Sequence, residues 1–372
     1  MAPSTTEKWI WPLPGSQQRS TRSSNPRGSG HQAIRTPCPA RGRSPGTTAQ
    51  PVPSRPPWRS RCSACWPSLW RDGVGVYDGA AGERFPGSRN TPPERSGGEP
   101  MAEETYEEIS VEKKGHVEII TLNVPEKLNP ITFRSLYEII VEIERAELDD
   151  EVRCIVFTGA GRGFSSGADL SRAAVDGPIY RAKLGERKMT EYPGGVLSYA
   201  IQRVGACEKP TIAAINGVAV AAGLALILAC DIRMAAESAR FSTIFTKRAM
   251  VVHAGMSYYL PRVVGISKAL ELLWTDRFVM ADEAKEIGLV SSIHGQDELM
   301  PAAMELAETI ASGPTVTLEL DKKLIWRAIE APTLLEAMQV ESWAGSVAHQ
   351  TEDSKEGMAS FMERREPVFQ GR

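Results

Sequence analysis

Apolar and polar residues follow regular patterns along residues 101–372, and these patterns predict both strands and helices. Period-two stretches at 106–111 and 116–122 predict a strand hairpin. Nearly continuous apolar runs at 152–157 and 211–215 predict strands covered on both faces. Thr132 precedes a stretch that places four apolar residues on one helical face, which predicts a capped helix carrying Leu136, Ile139, Ile140 and Ile143. From Ser267 onward the pattern is mostly helical, so this part predicts one large α/β domain.

Residues 1–100 have a different composition. They hold 13 Arg and 1 Lys against six acidic residues, together with 16 of the 26 prolines. No period of 2 or 3.6 persists there, and a segment so rich in Arg, Pro, Gly and Ser buries too little surface to offset its chain entropy. We therefore expect a disordered extension followed by a domain at 101–372.

The origin of this extension has three explanations: an organelle-targeting segment, a nucleic-acid-binding arm, or upstream DNA read as coding sequence ahead of the real start at Met101. We favour the third, with translation starting at Met101, because 97–100 can be encoded by a purine-rich stretch like a bacterial ribosome-binding site. A start at Met101 predicts a cytoplasmic protein, whereas a transit segment would predict an organelle matrix.

The net charge of residues 101–372 restricts the classes of molecule that can be their partners. With 29 basic against 40 acidic residues, 101–372 carries a net charge of −11, which argues against nucleic acid as a partner. No apolar run reaches the length of a membrane span. Cys62 and Cys65 have no second ligand pair, Cys154, Cys207 and Cys230 lie in apolar runs, and the histidines show no ligand spacing, so we predict no metal.

Two glycine-bearing segments about fifty residues apart carry the candidate chemistry. Gly-Phe-Ser-Ser-Gly-Ala-Asp-Leu spans 163–170 and Asn-Gly-Val-Ala-Val-Ala-Ala-Gly-Leu spans 216–224, each after a predicted buried strand. Each is expected to turn into a helix, whose first N–H groups have no internal partner. Two such groups aimed at one point stabilise a carbonyl oxygen that gains negative charge. The segments therefore predict an oxyanion hole.

These segments, with Lys-Pro-Thr-Ile-Ala-Ala-Ile at 209–215 and Cys-Asp-Ile at 230–232, resemble the crotonase (enoyl-CoA hydratase/isomerase) superfamily. The resemblance covers roughly 105–370. It implies a spiral of β-β-α units with a C-terminal helical trimerisation region, assembled as a homotrimer or a dimer of trimers. It also implies an acyl-CoA thioester substrate, with coenzyme A as part of the substrate and no separate cofactor.

The same resemblance suggests roles for individual residues. The oxyanion donors would be the N–H groups of Ala168, at the start of a helix, and Ala222. Asp169 is expected to cap the helix after the first segment. We expect contacts with the substrate from Lys127, Leu128, Ser166, Gly167, Asp169, Leu170, Gly223 and Phe245, of which Lys127 and Leu128 would contact the CoA moiety through their backbone. The charged segment 171–195 is expected to be irregular and to border the acyl pocket.

The sequence departs from the family at the acid and base positions. The hydratases carry glutamates where this chain has Ala225 and Phe245. Hydration needs groups that activate water and protonate the α-carbon, which alanine and phenylalanine cannot do. His253 stands eight residues after Phe245, where other superfamily members place a functional carboxylate, and imidazole suits base work near neutral pH. A helix-start histidine that only satisfies backbone groups is the alternative.

The sequence thus predicts an enzyme that stabilises a thioester enolate, isomerase- or hydratase-like, with His253 as its catalytic residue. The alternatives are an acyl-CoA hydrolase and a noncatalytic CoA-ester-binding subunit.

Overall fold

The structure is a computed structural model that describes residues 106–169, 171, 173–186, 189, 192 and 194–372. All of them belong to one compact unit, Pro93–Arg372. The predictions for the 1–100 extension, for Cys62 and Cys65, and for Leu170 lie outside the described residues.

A six-stranded sheet forms the first layer, in the order β1-β2-β3-β5-β7-β10. Only β1 and β2 pair antiparallel, as the predicted hairpin; the other neighbours are parallel. The strands are β1 Ile109–Lys114, β2 Val117–Leu122, β3 Cys154–Gly159, β5 Thr211–Ile215, β7 Ile232–Ala236 and β10 Ser292–His294. β1 begins three residues later than predicted, because the backbone N–H groups of Glu107 and Glu108 donate to the Glu138 carboxylate instead of extending the strand.

A second sheet, in the order β4-β6-β8-β9, carries the two glycine-bearing segments. Its strands are β4 Gly163–Ser165, β6 Val218–Val220, β8 Arg240–Ser242 and β9 Val279–Met280. β4, β6 and β8 are parallel neighbours. The ends of β4 and β6 therefore meet at one edge of this sheet.

Eleven α-helices lie within the described residues: α1 Phe133–Leu148, α2 Ala173–Leu184, α3 Gly195–Ala206, α4 Ala222–Ala229, α5 Met256–Val264, α6 Ile266–Thr275, α7 Ala281–Glu286, α8 Leu299–Ala311, α9 Thr315–Glu330, α10 Leu334–Ala348 and α11 Glu352–Glu363. Thr132 caps α1 as predicted, since its side chain accepts from the Arg134 and Ser135 N–H groups. The predicted apolar face of α1 is buried. The expectation that 171–195 is irregular was wrong for α2, a helix that includes Pro178. None of the described helices is both long and apolar enough to span a bilayer.

Both faces of the central strands β3 and β5 are buried, as their continuous apolar runs predicted. One face packs on α8, through Ala303, Ala307 and Ala311. Alternate residues of the same strands, such as Ile155 and Ala213, face the larger core shared with α1, α3 and α4. The central strands are therefore fixed from both sides.

A buried acidic pair joins β2 to α1. Glu118 and Glu142 are almost fully buried, and their carboxyl groups hydrogen-bond each other. Burial, followed by the charge of Glu142, raises the pKa of Glu118 to about 8. The pKa of Glu142 is lowered although burial opposes this, because Arg145, Tyr106 and Glu118 donate hydrogen bonds to its carboxylate. Glu118 therefore holds the proton of the pair at neutral pH.

Candidate active site

The second glycine-bearing segment forms an abrupt strand-to-helix turn. β6 ends at Val220, α4 begins at Ala222, and the single residue between them, Ala221, has φ 47° and ψ −114°. Such a backbone costs a non-glycine residue about 1–3 kcal/mol and persists only where its surroundings enforce it. Here the Ala221 N–H donates to the Ser242 carbonyl at 3.1 Å. The turn leaves the Ala222 N–H at the helix start with no acceptor among the described residues.

The first segment lies directly against this turn. Gly167 has φ +93°, and a Cβ added there would stand 3.1 Å from the Val220 carbonyl oxygen and 3.2 Å from the Ala221 Cβ. Only glycine combines this backbone with so close an approach. The structure thus brings together the two segments that the sequence paired.

Ala168 is positioned by a strand-like bridge, so the prediction that it begins a helix was wrong. The Ile131 N–H donates to the Gly167 carbonyl at 2.8 Å, and the Asp169 N–H donates to the Ile131 carbonyl at 2.9 Å. Helix α2 starts only at Ala173. In this parallel bridge the Ala168 N–H points away from Ile131, and no described residue accepts from it. Ala168 is also exposed to solvent.

The Asp169 carboxylate makes a local contact ahead of α2. Its Oδ1 accepts from the Ser171 N–H at 2.8 Å, which closes an Asx turn ahead of α2.

Gly223 sets the separation of the two segments from the other side. A Cβ at this position would lie 2.5 Å from the Ser165 Cβ and 2.8 Å from its Oγ. Ser165 is fully buried, and its Oγ accepts from the Gly167 N–H at 3.2 Å. The first turn of α4 is therefore in contact with the residues that precede Ala168.

Lys127, Leu128 and Ser166 lie together next to the first segment. The Ser166 N–H donates to the Leu128 carbonyl at 2.7 Å, and the Ser166 hydroxyl donates to the Lys127 carbonyl at 3.1 Å. Lys127 and Ser166 are exposed. Their arrangement depends on Asn129, which is buried at φ 52°, accepts from the Val124 N–H and donates to two carbonyls of the β3–β4 connection. Sequence reasoning assigned no role to Asn129.

Phe245 and His253 are in contact on the segment that follows β8. Phe245 is buried, and the ring centroids of the two residues lie 4.8 Å apart at an angle of 60°. His253 is exposed, with Nδ1 3.1 Å from the Val251 carbonyl oxygen. If Nδ1 of the neutral ring donates that bond, Nε2 is the acceptor nitrogen, and no described residue hydrogen-bonds to it. The carbonyl of Ser242, at the end of β8, accepts the hydrogen bond from the Ala221 N–H.

Ala225 is one of the two residues expected from the sequence to replace a glutamate of the hydratases. It is fully buried within α4, whose residues are all buried. The three described cysteines are unsuited to nucleophilic work, because burial raises the pKa of each thiol to about 12. No cluster of three or more ligand-type side chains that could hold a metal ion occurs in the described part of the chain.

Comparison with known proteins supports the family resemblance found in the sequence. The family model described as enoyl-CoA hydratase/isomerase matches residues 112–372. The chain is 36% identical over 257 residues to the enoyl-CoA hydratase ACTT3 of Alternaria alternata, covering 68% of this chain and 83% of that protein. It is 34% identical over 259 residues to the short-chain-enoyl-CoA hydratase of Clostridium acetobutylicum, covering 69% and 95%.

Among solved structures, the enoyl-CoA hydratase from Bacillus anthracis superposes with a TM-score of 0.64 at 34% identity, over 72% of this chain and all of that one. The fold, an α/β domain with C-terminal helices and paired glycine-bearing turns, is that of a crotonase-like protein. The chain belongs to the enoyl-CoA hydratase/isomerase family, and the predicted fold class is confirmed.

Proposed function

We propose that this protein binds an acyl-CoA thioester and catalyses proton transfer next to its carbonyl group through an enolate. The observation that carries the proposal is the strained turn at Ala221 packed against Gly167. The backbone N–H groups of the adjoining Ala168 and Ala222 have no acceptor among the described residues. The relatives named above are enoyl-CoA hydratases, which supports the substrate class.

The N–H groups of Ala168 and Ala222 would hold the thioester oxygen. As a base removes an α-proton, the electrons of the C–H bond form a C=C bond and the carbonyl electrons move to oxygen, which becomes O⁻. Donors aimed at this oxygen are each worth about 3 kcal/mol in the transition state. Because they belong to the backbone, side-chain changes at these alanines leave the donors in place.

His253 would accept the proton at Nε2 and return it to the α- or the γ-carbon. Return to the γ-carbon of the dienolate formed from a β,γ-unsaturated ester, or the reverse, gives isomerisation with one acid–base group. Ala225 and Phe245 stand where the hydratases carry glutamates, so the two-glutamate hydration is disfavoured. Thioester hydrolysis and CoA-ester binding without turnover are the alternatives.

The first test incubates the full chain in D₂O with butyryl-CoA, crotonyl-CoA and phenylacetyl-CoA. Mass spectrometry reports deuterium uptake and products, and calorimetry reports binding. The proposal expects deuterium uptake that His253→Ala reduces by about 10²–10⁴-fold, the usual contribution of a general acid–base group. His116→Ala, at the β1–β2 turn, is the matched control and should exchange at the wild-type rate.

Each other outcome has a distinct meaning. Binding without exchange on any ester would favour the noncatalytic subunit, and release of free CoA would favour the hydrolase. Exchange unchanged in His253→Ala would remove the proposed base. No binding of any ester would refute the oxyanion-hole proposal.

We also propose that the C-terminal helices assemble the chain into a homotrimer or a dimer of trimers. Large apolar side chains are exposed on three consecutive helices: Ile325, Ile329, Leu334, Leu335, Met338, Trp343, Met358, Phe361 and Met362. Exposed apolar surface of this extent is typical of a protein–protein contact. Mass photometry of the full chain would show the trimer, and a monomer at micromolar concentration would refute it.

A further inference from the structure

One buried carboxylate organises the segment that leads from the Ala221 turn towards His253. Asp276, the residue after α6, is 1% exposed. Its Oδ1 accepts from the Thr243 hydroxyl at 2.8 Å and from the Phe245 N–H at 3.1 Å, and its Oδ2 accepts from the Lys247 N–H at 2.7 Å. A buried carboxylate that accepts from three donors keeps its position, because moving it would leave an unpaired charge in the interior.

The backbone of Asp276 adds two further contacts to the same segment. Its carbonyl accepts from the Ser242 hydroxyl at 3.0 Å and from the Lys247 Nζ at 3.2 Å. Asp276 itself is anchored to α6, since its N–H donates to the Leu272 carbonyl at 3.0 Å and its φ is 47°. Asp276 thus makes five hydrogen bonds to residues 242–247.

These contacts act on both parts of the proposed site. Ser242 is the residue whose carbonyl accepts from the strained Ala221. Phe245 is the residue whose ring packs on His253. The Phe245 carbonyl also accepts from the N–H groups of Arg248 and Met250, which closes the turn that continues towards His253.

We propose that Asp276 is a positioning residue. It holds Phe245, and through the Phe245 ring also His253, at a fixed position relative to the Ala221–Ala222 turn. This inference rests on the proposed function for its consequence in catalysis. The positioning itself is a property of the fold and can be measured separately.

Asp276→Asn tests the inference with minimal change of shape. In one orientation the new NH₂ group faces the Phe245 N–H, and in the other it faces the Lys247 N–H, so a donor meets a donor either way. We expect kcat for deuterium uptake from the active ester to fall by about 10²-fold, the effect of misplacing a reacting group by about 1 Å, with KM little changed.

Asp353→Asn is the matched control. Asp353 is also a buried carboxylate, and it accepts from the N–H groups of Gln370 and Gly371 in the C-terminal tail. The same substitution there removes comparable hydrogen bonds without touching residues 242–253. We expect a similar loss of thermal stability in both variants, but wild-type kcat in Asp353→Asn.

Carbethoxylation of His253 by diethyl pyrocarbonate, followed by mass spectrometry, measures positioning without any activity. The rate at His253, relative to that at His116 in the same digest, should rise in Asp276→Asn and stay at the wild-type value in Asp353→Asn. Thr243→Val, which removes one donor and keeps the carboxylate, should shift both readouts in the same direction by less. Thr243→Val takes the place of Asp276→Asn in both measurements if Asp276→Asn does not fold.

An unchanged His253 rate and kcat in Asp276→Asn, or equal losses in Asp353→Asn, would overturn the inference. If the wild type binds no ester and exchanges no proton, the proposed function fails. The carbethoxylation comparison still decides the positioning in that case.

Discussion

Replacing Gly223 by alanine would force the two halves of the candidate site apart. The new Cβ would stand 2.5 Å from the Ser165 Cβ and 2.8 Å from its Oγ, against an ordinary contact of about 3.5–4.0 Å. Ser165 is fully buried and hydrogen-bonded to Gly167, so it cannot simply rotate into solvent. The strand end or the helix start must therefore move by about 1 Å.

This displacement has two expected consequences. Overpacking of a buried site costs typically about 1–3 kcal/mol, which urea denaturation would measure as a lower midpoint with an unchanged slope. Misplacing one donor by about 1 Å lowers the rate by about 10²-fold, which the deuterium-uptake assay would measure on any ester that the wild type accepts.

A compensating substitution and a control sharpen the test. Ser165→Gly removes the obstructing atoms, so Ser165→Gly/Gly223→Ala should recover part of the stability lost in Gly223→Ala, a coupling that a double-mutant cycle detects. Gly345→Ala makes the same change in α10, where an added Cβ meets nothing within 4 Å. It should leave activity intact and stabilise the helix by up to about 1 kcal/mol. Wild-type stability and rate in Gly223→Ala would refute the reasoning.

Three further predictions concern the rest of the fold. Because the folded-state pKa of Glu118, about 8, lies above the ordinary 4.5, the unfolded chain ionises first and stability falls as pH rises from about 4.5 to about 8. Glu118→Gln should therefore match the wild type near pH 4.5 and exceed its unfolding free energy at pH 8 by about 2–4 kcal/mol. Asn129→Ala should cost about 1–3 kcal/mol in urea denaturation, because it leaves buried backbone groups unpaired. Trp343→Glu should lower the mass of the assembly in mass photometry, because it places a charge on the exposed apolar face.

Each of these has a matched control. Glu112→Gln changes an exposed glutamate of β1 and should leave the pH profile unaltered; a wild-type slope in Glu118→Gln would contradict the buried-acid interpretation. Asn129→Gly loses the same hydrogen bonds but accepts φ 52° freely, so Asn129→Ala should be the less stable of the two. Lys114→Glu, an exposed charge reversal on β1, should not change the mass of the assembly.

Local patterns in the sequence predicted most of the framework. The apolar runs of β3 and β5 signalled strands buried on both faces, because only covered strands need apolar residues at every position. Thr132 signalled the start of α1, because its side chain satisfies N–H groups only two and three residues away. The paired glycine-bearing segments gave the family resemblance and the candidate donors.

Where a local rule was applied across a distant contact, the expectation failed. Ala168 was expected at a helix start, yet its backbone is held by Ile131, 37 positions earlier in the chain. Asp276 stands 31 residues from the Phe245 N–H that it accepts from, and nothing in its neighbourhood distinguishes it from a surface aspartate after a helix. Asn129 likewise bonds groups 31 and 34 residues away.

The sequence by itself therefore determined the elements, the family and the two segments that bear the donors, since periodicity, capping and turn chemistry act over a few residues. Only the tertiary structure decided that Gly167 lies on Ala221, that Ala221 is strained and that Phe245 contacts His253. These relations arise when parallel strands far apart in the chain become neighbours, and close packing then fixes positions to a fraction of an ångström.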